Sequence, residues 1–299
     1  MLKTLIKEKY IHPEDQYLSV VKDLINNGTE LDARNGNTIC SIGSAMYFSL
    51  ENNEIPILTT KKVAVKTCLK ELLWFIRGNT DNKLLNEQNV HIWDLNGTKE
   101  FLKSRGLDYE ENDLGPVYGH QWRFFNAKYL DCDTNYENQG VDQLQILIDN
   151  LKNPETRYSR RHIVSAWNPC QINEMALPPC HVMFQFHVTQ GNKLSCTLYQ
   201  RSGDIGLGVP FNILSYSALT HLIAKHCDLE AYEFIYYLGN AHIYENHIES
   251  LKTQITRKPY DFPKFNIKTK HDNINDYTMD DFEVIDYKYH EKVKMDMVQ

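Results

Sequence analysis

Between Ala176 and Asn212 the chain reads ALPPCHVMFQFHVTQGNKLSCTLYQRSGDIGLGVPFN, which brings a cysteine behind a Pro-Pro pair, a Gln-Arg-Ser-Gly-Asp run, a glycine-rich turn and a terminal amide into one segment. Cys180 opens a strand-like run, an unusual place for a reactive group. A thiol attacks as the thiolate, and a free one ionises near pH ~8.5, so nucleophilic chemistry at neutral pH needs a cation or donor beside it. Arg201 follows the second of two strand-like runs, 180–189 and 193–200. A hairpin between those runs would bring the guanidinium back towards Cys180. A cysteine among apolar residues is more often packed than reactive; it is the neighbours that favour a nucleophile here.

Other residues stand out by type and setting. Glu71 sits in TCLKELLWFIRGNT, a helical pattern of strongly apolar residues where a carboxylate is costly unless hydrogen-bonded or functional. On spacing alone it reads equally as an exposed helix residue. Tyr118 lies in GPVYGHQWR, Arg160 and Arg161 in RYSRRHIVSAWNP, and His242 and Tyr244 in GNAHIYENHIE. Taken singly, these are a packed aromatic, a solvated charge pair and a surface histidine at a helix start.

Periodicity and punctuation indicate the elements that must hold these groups. Apolar spacing predicts helices near 16–26, 63–77, 141–152, 211–227 and 243–254, and strands around 161–168, 180–189, 193–200 and 232–238. Helices and strands mix without regular alternation, which reads as α+β: a large mixed sheet flanked by helices. The polar stretches 104–113, 127–140 and 269–282 read as surface loops, and no repeat, linker or composition shift divides the chain, so one domain over 1–299 is expected.

Composition narrows the classes. The 299 residues are 42% hydrophobic and 24% charged, ordinary for a globular protein. No apolar run reaches the roughly 18–20 residues of a membrane span, and the N-terminal MLKTLIKEKYIHPED turns charged too early for a signal peptide, so a cytoplasmic location is expected. Seven cysteines, odd in number and widely spaced, indicate neither a disulfide framework nor a zinc site, and no metal is expected. A net charge of -7 argues against nucleic acid as the main partner. An anionic small ligand would instead need a local arginine cluster.

The Cys180 segment, ELLWF, GPVYGHQWR, GVPFN and HIYENHIE together resemble the thymidylate synthase family, from about Leu31 to the C-terminus, with 1–30 matching weakly. The resemblance implies a thymidylate synthase-like fold and reductive methylation of dUMP to dTMP. The thiolate adds to carbon 6 of uracil, so that carbon 5 can capture the one-carbon unit of 5,10-methylenetetrahydrofolate, which then returns a hydride and leaves as dihydrofolate. It implies catalytic roles for Cys180, Glu71, Tyr118, Arg201 and Asn212. For dUMP it implies Arg34, Gln200, Arg201, Ser202, Asp204, Asn212, His242 and Tyr244, with Arg160 and Arg161 reaching across from the second subunit of a homodimer. For the folate it implies Ile92, Trp93, Asn96, Asp204, Leu207, Gly208, Phe211 and Tyr244.

One amide at Asn212 can answer both the carbonyl and the N3 donor of uracil. The chain departs from the family at Arg34, displaced by one place in its loop, at Asn240, where an aspartate is usual, and at the terminal Gln299. The tail KYHEKVKMDMVQ resembles the segment that folds over the bound ligands. Three rivals remain. A pyrimidine hydroxymethylase of the same fold shares the early chemistry. A cysteine hydrolase pairing Cys180 with His242 leaves the arginines and Asn212 unexplained. A non-catalytic nucleotide- or RNA-binding regulator leaves Cys180 and Glu71 without purpose.

Overall fold

The computed structural model describes residues 2–33 and 36–297. Arg34 and Gln299 therefore lie outside the described residues. In chain order the elements are α1 (Leu2–Lys9), α2 (Asp15–Asn27), β1 (Thr29–Ala33), β2 (Gly36–Ser49), α3 (Val65–Ile76), α4 (Lys83–Asn86), α5 (Lys99–Ser104), α6 (Tyr118–Phe124), α7 (Gln143–Lys152), β3 (Ile163–Ser165), β4 (His181–Thr189), β5 (Lys193–Asp204), α8 (Gly208–His226), β6 (Glu230–Tyr244), α9 (Ile248–Gln254), β7 (Lys264–Ile267) and β8 (Phe282–Ile285). Six strands form one sheet in the order β1-β2-β6-β5-β4-β3, and β7 pairs with β8 in a second, two-stranded sheet. The large sheet is mixed: β5 and β6 run parallel, while β1 with β2, β2 with β6, and β3 with β4 are antiparallel. This is the α+β class expected from the sequence.

The chain divides into two compact units, one of 1–65, 188–270 and 280–299, the other of 66–187 and 271–279. In the first, α8 supplies the crossover that a parallel β5/β6 pair requires. Nearly all its residues from Val209 to Ala224 are buried, as befits a helix apolar around most of its circumference. Tyr216 stacks on Phe234 of β6 at 6.4 Å between ring centroids. In the second unit α3 buries Leu69, Leu72, Leu73, Phe75 and Ile76. Trp122 of α6 lies against Phe75 at 5.6 Å and Phe184 at 5.1 Å.

Three sequence expectations need correction. The helix predicted over 243–254 begins only at Ile248, because β6 runs on to Tyr244, held by β2 through the pairs Ile39↔Ile243 and Thr38↔Tyr244. His242 is therefore a strand residue and not at a helix start. The long strand β2 is absent from the periodic reading: Gly36 and Gly43 look like breakers, yet both lie within it with φ of +118° and +83°, values that favour glycine. The acidic stretches are surface loops only in part, since Tyr129, Tyr136, Ile274 and Tyr277 are buried.

Candidate active site

In the unit that carries Cys180, four of the singled-out residues are linked. Cys180 immediately precedes β4, and its backbone N–H donates to the hydroxyl oxygen of Tyr118 at 2.7 Å. Tyr118 is the first residue of α6, 4% exposed, and its ring is fixed by Phe75 at 4.8 Å, His181 at 5.0 Å and Trp93 at 6.1 Å. The Trp93 indole N–H donates to Glu71 Oε1 at 2.7 Å. Glu71 thus projects from α3, half-buried, with its carboxylate tied to the Trp93 indole. Burial pushes its pKa up to about 7 against the opposing pull of the Trp93 donor, which makes it a carboxyl group that exchanges its proton near neutrality. The reading of Glu71 as an exposed helix residue is overturned.

The same unit holds Ile92, partly exposed, and Asn96, 9% exposed, on the segment around Trp93. Arg160 and Arg161 are both exposed just before β3. The Arg160 carbonyl accepts from Gln185 Nε2 at 2.8 Å, and the Arg161 backbone N–H donates to Ser159 Oγ at 3.2 Å, so the backbone beneath the two guanidinium groups is fixed.

The other unit gathers the rest. Asp204 ends β5 directly opposite His242 of β6 in the register. Gln200 is 2% exposed; its amide donates to the Ser202 carbonyl at 2.8 Å and accepts from the Tyr236 hydroxyl at 2.6 Å, so it braces the strand end that carries Arg201 and Ser202. His242 Nδ1 lies 3.0 Å from Asn240 Oδ1, a pure acceptor, which makes Nδ1 the protonated nitrogen and leaves Nε2 as an acceptor. Asn240 thereby orients His242 as an aspartate would, without its charge. Burial lowers the His242 pKa, against the pull of Asp204 and Asn240, so the ring is held towards its neutral form. Tyr244 meets it edge to face at 5.4 Å.

Asp204 takes backbone N–H bonds from Gly206 at 2.8 Å and Leu207 at 3.1 Å. Burial works to raise its pKa, but His247, the Gly206 N–H and His242 outweigh it, so the carboxyl is held below its ordinary range and ionised. Gly208 opens α8, Phe211 follows in its first turn, and Asn212 is 8% exposed.

Two residues here escaped the sequence reading. Lys61 is buried and its ammonium donates to the Gly206 carbonyl; burial lowers it to about 8 against Asp204 and Glu14. His247 is fully buried beside Asp204. It sits inside the HIYENHIE motif, which was the available signal. Lys61, in ILTTKK, has no periodic or motif signature of its own.

Two cavities, one in each unit, are lined by other residues, among them Lys193 and His221 in one, Arg77 and Arg123 in the other. Among the described residues one group has metal-ligand spacing: Asp81, Cys132 and Asp133, with ligand atoms within 4.8 Å of one another. Burial, with Asp113, Asp81 and Asp133, pushes the Cys132 thiol up to about 12, so it stays protonated at neutral pH.

The α+β fold thus places a cysteine at a strand start, its N–H bonded to a buried tyrosine hydroxyl, in the same unit as a carboxyl group raised towards neutrality. The thymidylate synthase family profile matches residues 15–299, and the chain belongs to that family, whose members are methyltransferases. It is 52% identical over 288 residues to the bifunctional dihydrofolate reductase-thymidylate synthase of Plasmodium berghei, covering 96% of this chain and 48% of the relative. It is 50% identical over 296 residues to the thymidylate synthase of Saccharomyces cerevisiae, covering 95% of this chain and 96% of the relative. Thymidylate synthase 1/2 of Encephalitozoon cuniculi is 50% identical over 290 residues, at 96% and 97% coverage. Against three bifunctional relatives the chain spans 48%, 61% and 50% of their length.

Proposed function

We propose that this protein methylates dUMP reductively to dTMP, with 5,10-methylenetetrahydrofolate as co-substrate and dihydrofolate as second product, in a single catalytic domain over 1–299. The observation that carries the reading is the linked set Glu71, Trp93, Tyr118 and Cys180. It joins a nucleophile, a phenol and a carboxyl that titrates near pH 7. A hydrolase pairing Cys180 with His242 explains none of Glu71, Trp93 and Tyr118.

Cys180 adds to carbon 6 of the uracil, which makes carbon 5 nucleophilic. Glu71 manages proton transfer at the ring and Tyr118 assists removal of the carbon 5 proton. Asn212 reads the base by its carbonyl and N3–H. Arg201 and Ser202, with Gln200 behind them, hold the phosphate, and Arg201 supports the thiolate. Arg34 belongs to the same set by resemblance. His242 and Tyr244 take the deoxyribose 3′-hydroxyl; a neutral imidazole with Nδ1 occupied offers Nε2 as the acceptor this requires.

When bound, the folate supplies the one-carbon unit and the hydride. The residues fit it: Asp204, kept ionised, is an acceptor for the amino and N3–H donors of a pterin, and Ile92, Trp93, Asn96, Leu207, Gly208, Phe211 and Tyr244 supply ring and amide surfaces.

A homodimer, with Arg160 and Arg161 serving the phosphate of the opposite site, is the assembly we infer. Both arginines are exposed, and on the large sheet the register pair Tyr199↔Tyr237 is 44% and 43% exposed, an aromatic patch suited to a second copy. No described helix is long and apolar enough to cross a membrane. We assign the protein to the cytoplasm on the spacing of its cysteines.

The test is incubation with dUMP and 5,10-methylenetetrahydrofolate, with both products identified. We expect dTMP and dihydrofolate in equal amounts. Hydroxymethyl-dUMP with tetrahydrofolate would replace this reading with the hydroxymethylase.

A further inference from the structure

The C-terminal strap, 288–297, is held through its backbone and through His290, whose ring stacks on Tyr260 at 4.7 Å and lies 2.8 Å from the Lys258 carbonyl. The His290 N–H donates to the Thr59 carbonyl at 2.8 Å. The Glu291 carbonyl accepts from Arg257 Nη1 at 2.8 Å, the Lys294 carbonyl from Ser250 Oγ at 2.6 Å, and the Asp296 carbonyl lies 2.7 Å from His247 Nε2. Donors on and beside α9 thus bond three backbone carbonyls of the strap, those of Glu291, Lys294 and Asp296. Only one of them, His247, also faces the site.

His247 Nδ1 lies 3.8 Å from Asp204 Oδ1, is buried and has no hydrogen-bond partner. A side chain at position 206 would put its Cβ 2.7 Å from that nitrogen, so Gly206 is what lets the imidazole settle over the Asp204 turn. The ring is wedged between an acceptor on each side, and its protonation decides what it can satisfy. The neutral tautomer with hydrogen on Nε2 serves the strap and turns a lone pair towards a carboxylate. The other tautomer serves Asp204 and turns a lone pair towards the Asp296 carbonyl. Only the imidazolium presents an N–H to each of them.

We propose that His247 is a positioning residue whose imidazolium form latches the C-terminal strap onto the Asp204 turn, so that strap closure and the placing of Asp204 are coupled to one proton. The groups facing the ring agree. Burial opposes the charge, but Asp204 and the Asp296 carbonyl outweigh it and raise the His247 pKa above its ordinary value, with Lys61 opposing. Tyr244 packs edge-on at 5.7 Å, His242 on β6 is held towards neutral, and Glu14 is bound to Thr59 and Thr60. Glu249, next along α9, is paired with Lys252. The sign follows. A group with a raised folded-state pKa contributes fully below its ordinary value and loses the contribution as pH rises through the raised value. The strap is therefore latched on the acid side and released on the alkaline side.

The consequence for catalysis rests on reading Asp204 as the folate-facing carboxylate; the latch itself does not. The experiment is hydrogen exchange of the 288–297 peptide in the ligand-free protein, expressed as protection factors across pH, for wild type, His247→Gln and His247→Ala. Gln can still donate to the Asp296 carbonyl but cannot acquire charge. Wild type should lose roughly tenfold protection from the acid to the alkaline side, as for a hydrogen bond to a charged group. His247→Gln should be intermediate and flat with pH, and His247→Ala low throughout. A flat wild type, or the wild-type slope retained in His247→Gln, overturns the proposal. The second readout is kinetic: His247→Gln should raise KM for the folate about tenfold with KM for dUMP near wild type. Latch behaviour without synthase turnover would overturn the functional reading and leave the latch standing.

Discussion

Glu71 and Trp93 define a titration that one hydrogen bond tunes. Burial raises the carboxyl to about 7, and the indole N–H holds it lower than burial alone would. Trp93→Phe removes that donor and keeps an aromatic body, so the Glu71 pKa should rise further. In pH profiles of kcat/KM for dUMP, wild type should show a limb near 7, Trp93→Phe the same limb moved to higher pH, and Glu71→Gln no such limb with activity reduced at least a hundredfold. An unmoved limb in Trp93→Phe would assign it to another group. Stability should follow the raised pKa: folding loses support as pH rises from the ordinary 4.5 towards 7, and Glu71→Gln, which cannot ionise, should show a flatter stability curve there by urea titration.

The element scale shows how much of the site could be read before the fold was seen. Helices α2, α3 and α7 and strands β4 and β5 follow from periodicity because each buries one consistent face or stretch; α3 carries Glu71, β5 ends at Asp204 and Cys180 immediately precedes β4, whereas Tyr118 lies on α6, which periodicity did not show. What escaped depends on partners distant in sequence. Strand β2 reads as broken because its glycines look like punctuation, and only pairing with β6 makes it continuous. The Glu71–Trp93 bond joins residues 22 apart, and Lys61 matters only because Gly206 folds back over it.

Glu14, just before α2, is a further example: a fully buried carboxylate that accepts from the N–H groups of Thr59 and Thr60 at 2.8 and 2.9 Å and from both hydroxyls at 2.6 Å. It thereby fixes the segment that leads into Lys61 and whose Thr59 carbonyl receives the strap. Glu14→Gln turns an NH₂ towards a backbone N–H that cannot reorient. We expect a loss of about 2–3 kcal/mol in urea unfolding, with Glu14→Asp also destabilised because its shorter arm cannot span both threonines.

At the scale of the whole molecule, the exposed Arg160 and Arg161 and the exposed Tyr199 and Tyr237 pair belong to one hypothesis, a dimer whose sites are shared. Two variants that fail for different reasons test it. Cys180→Ser retains a hydroxyl that stays neutral at pH 7 and adds poorly to carbon 6; Arg161→Glu puts a negative charge where a phosphate should bind. Each homodimer should be inactive. If Arg161 serves the partner's site, a mixed dimer collects both defects in one site and leaves the other with an intact Cys180 and a wild-type arginine pair from across the interface. Random mixing makes about half the dimers mixed, each with one good site, so roughly a quarter of wild-type activity should return when the two variants are unfolded together and refolded. Native mass spectrometry establishes that mixed dimers formed. Mixed dimers without recovered activity would place Arg161 in its own chain's site or outside the site, and a wild-type protein that stays monomeric at assay concentration would remove the shared site altogether.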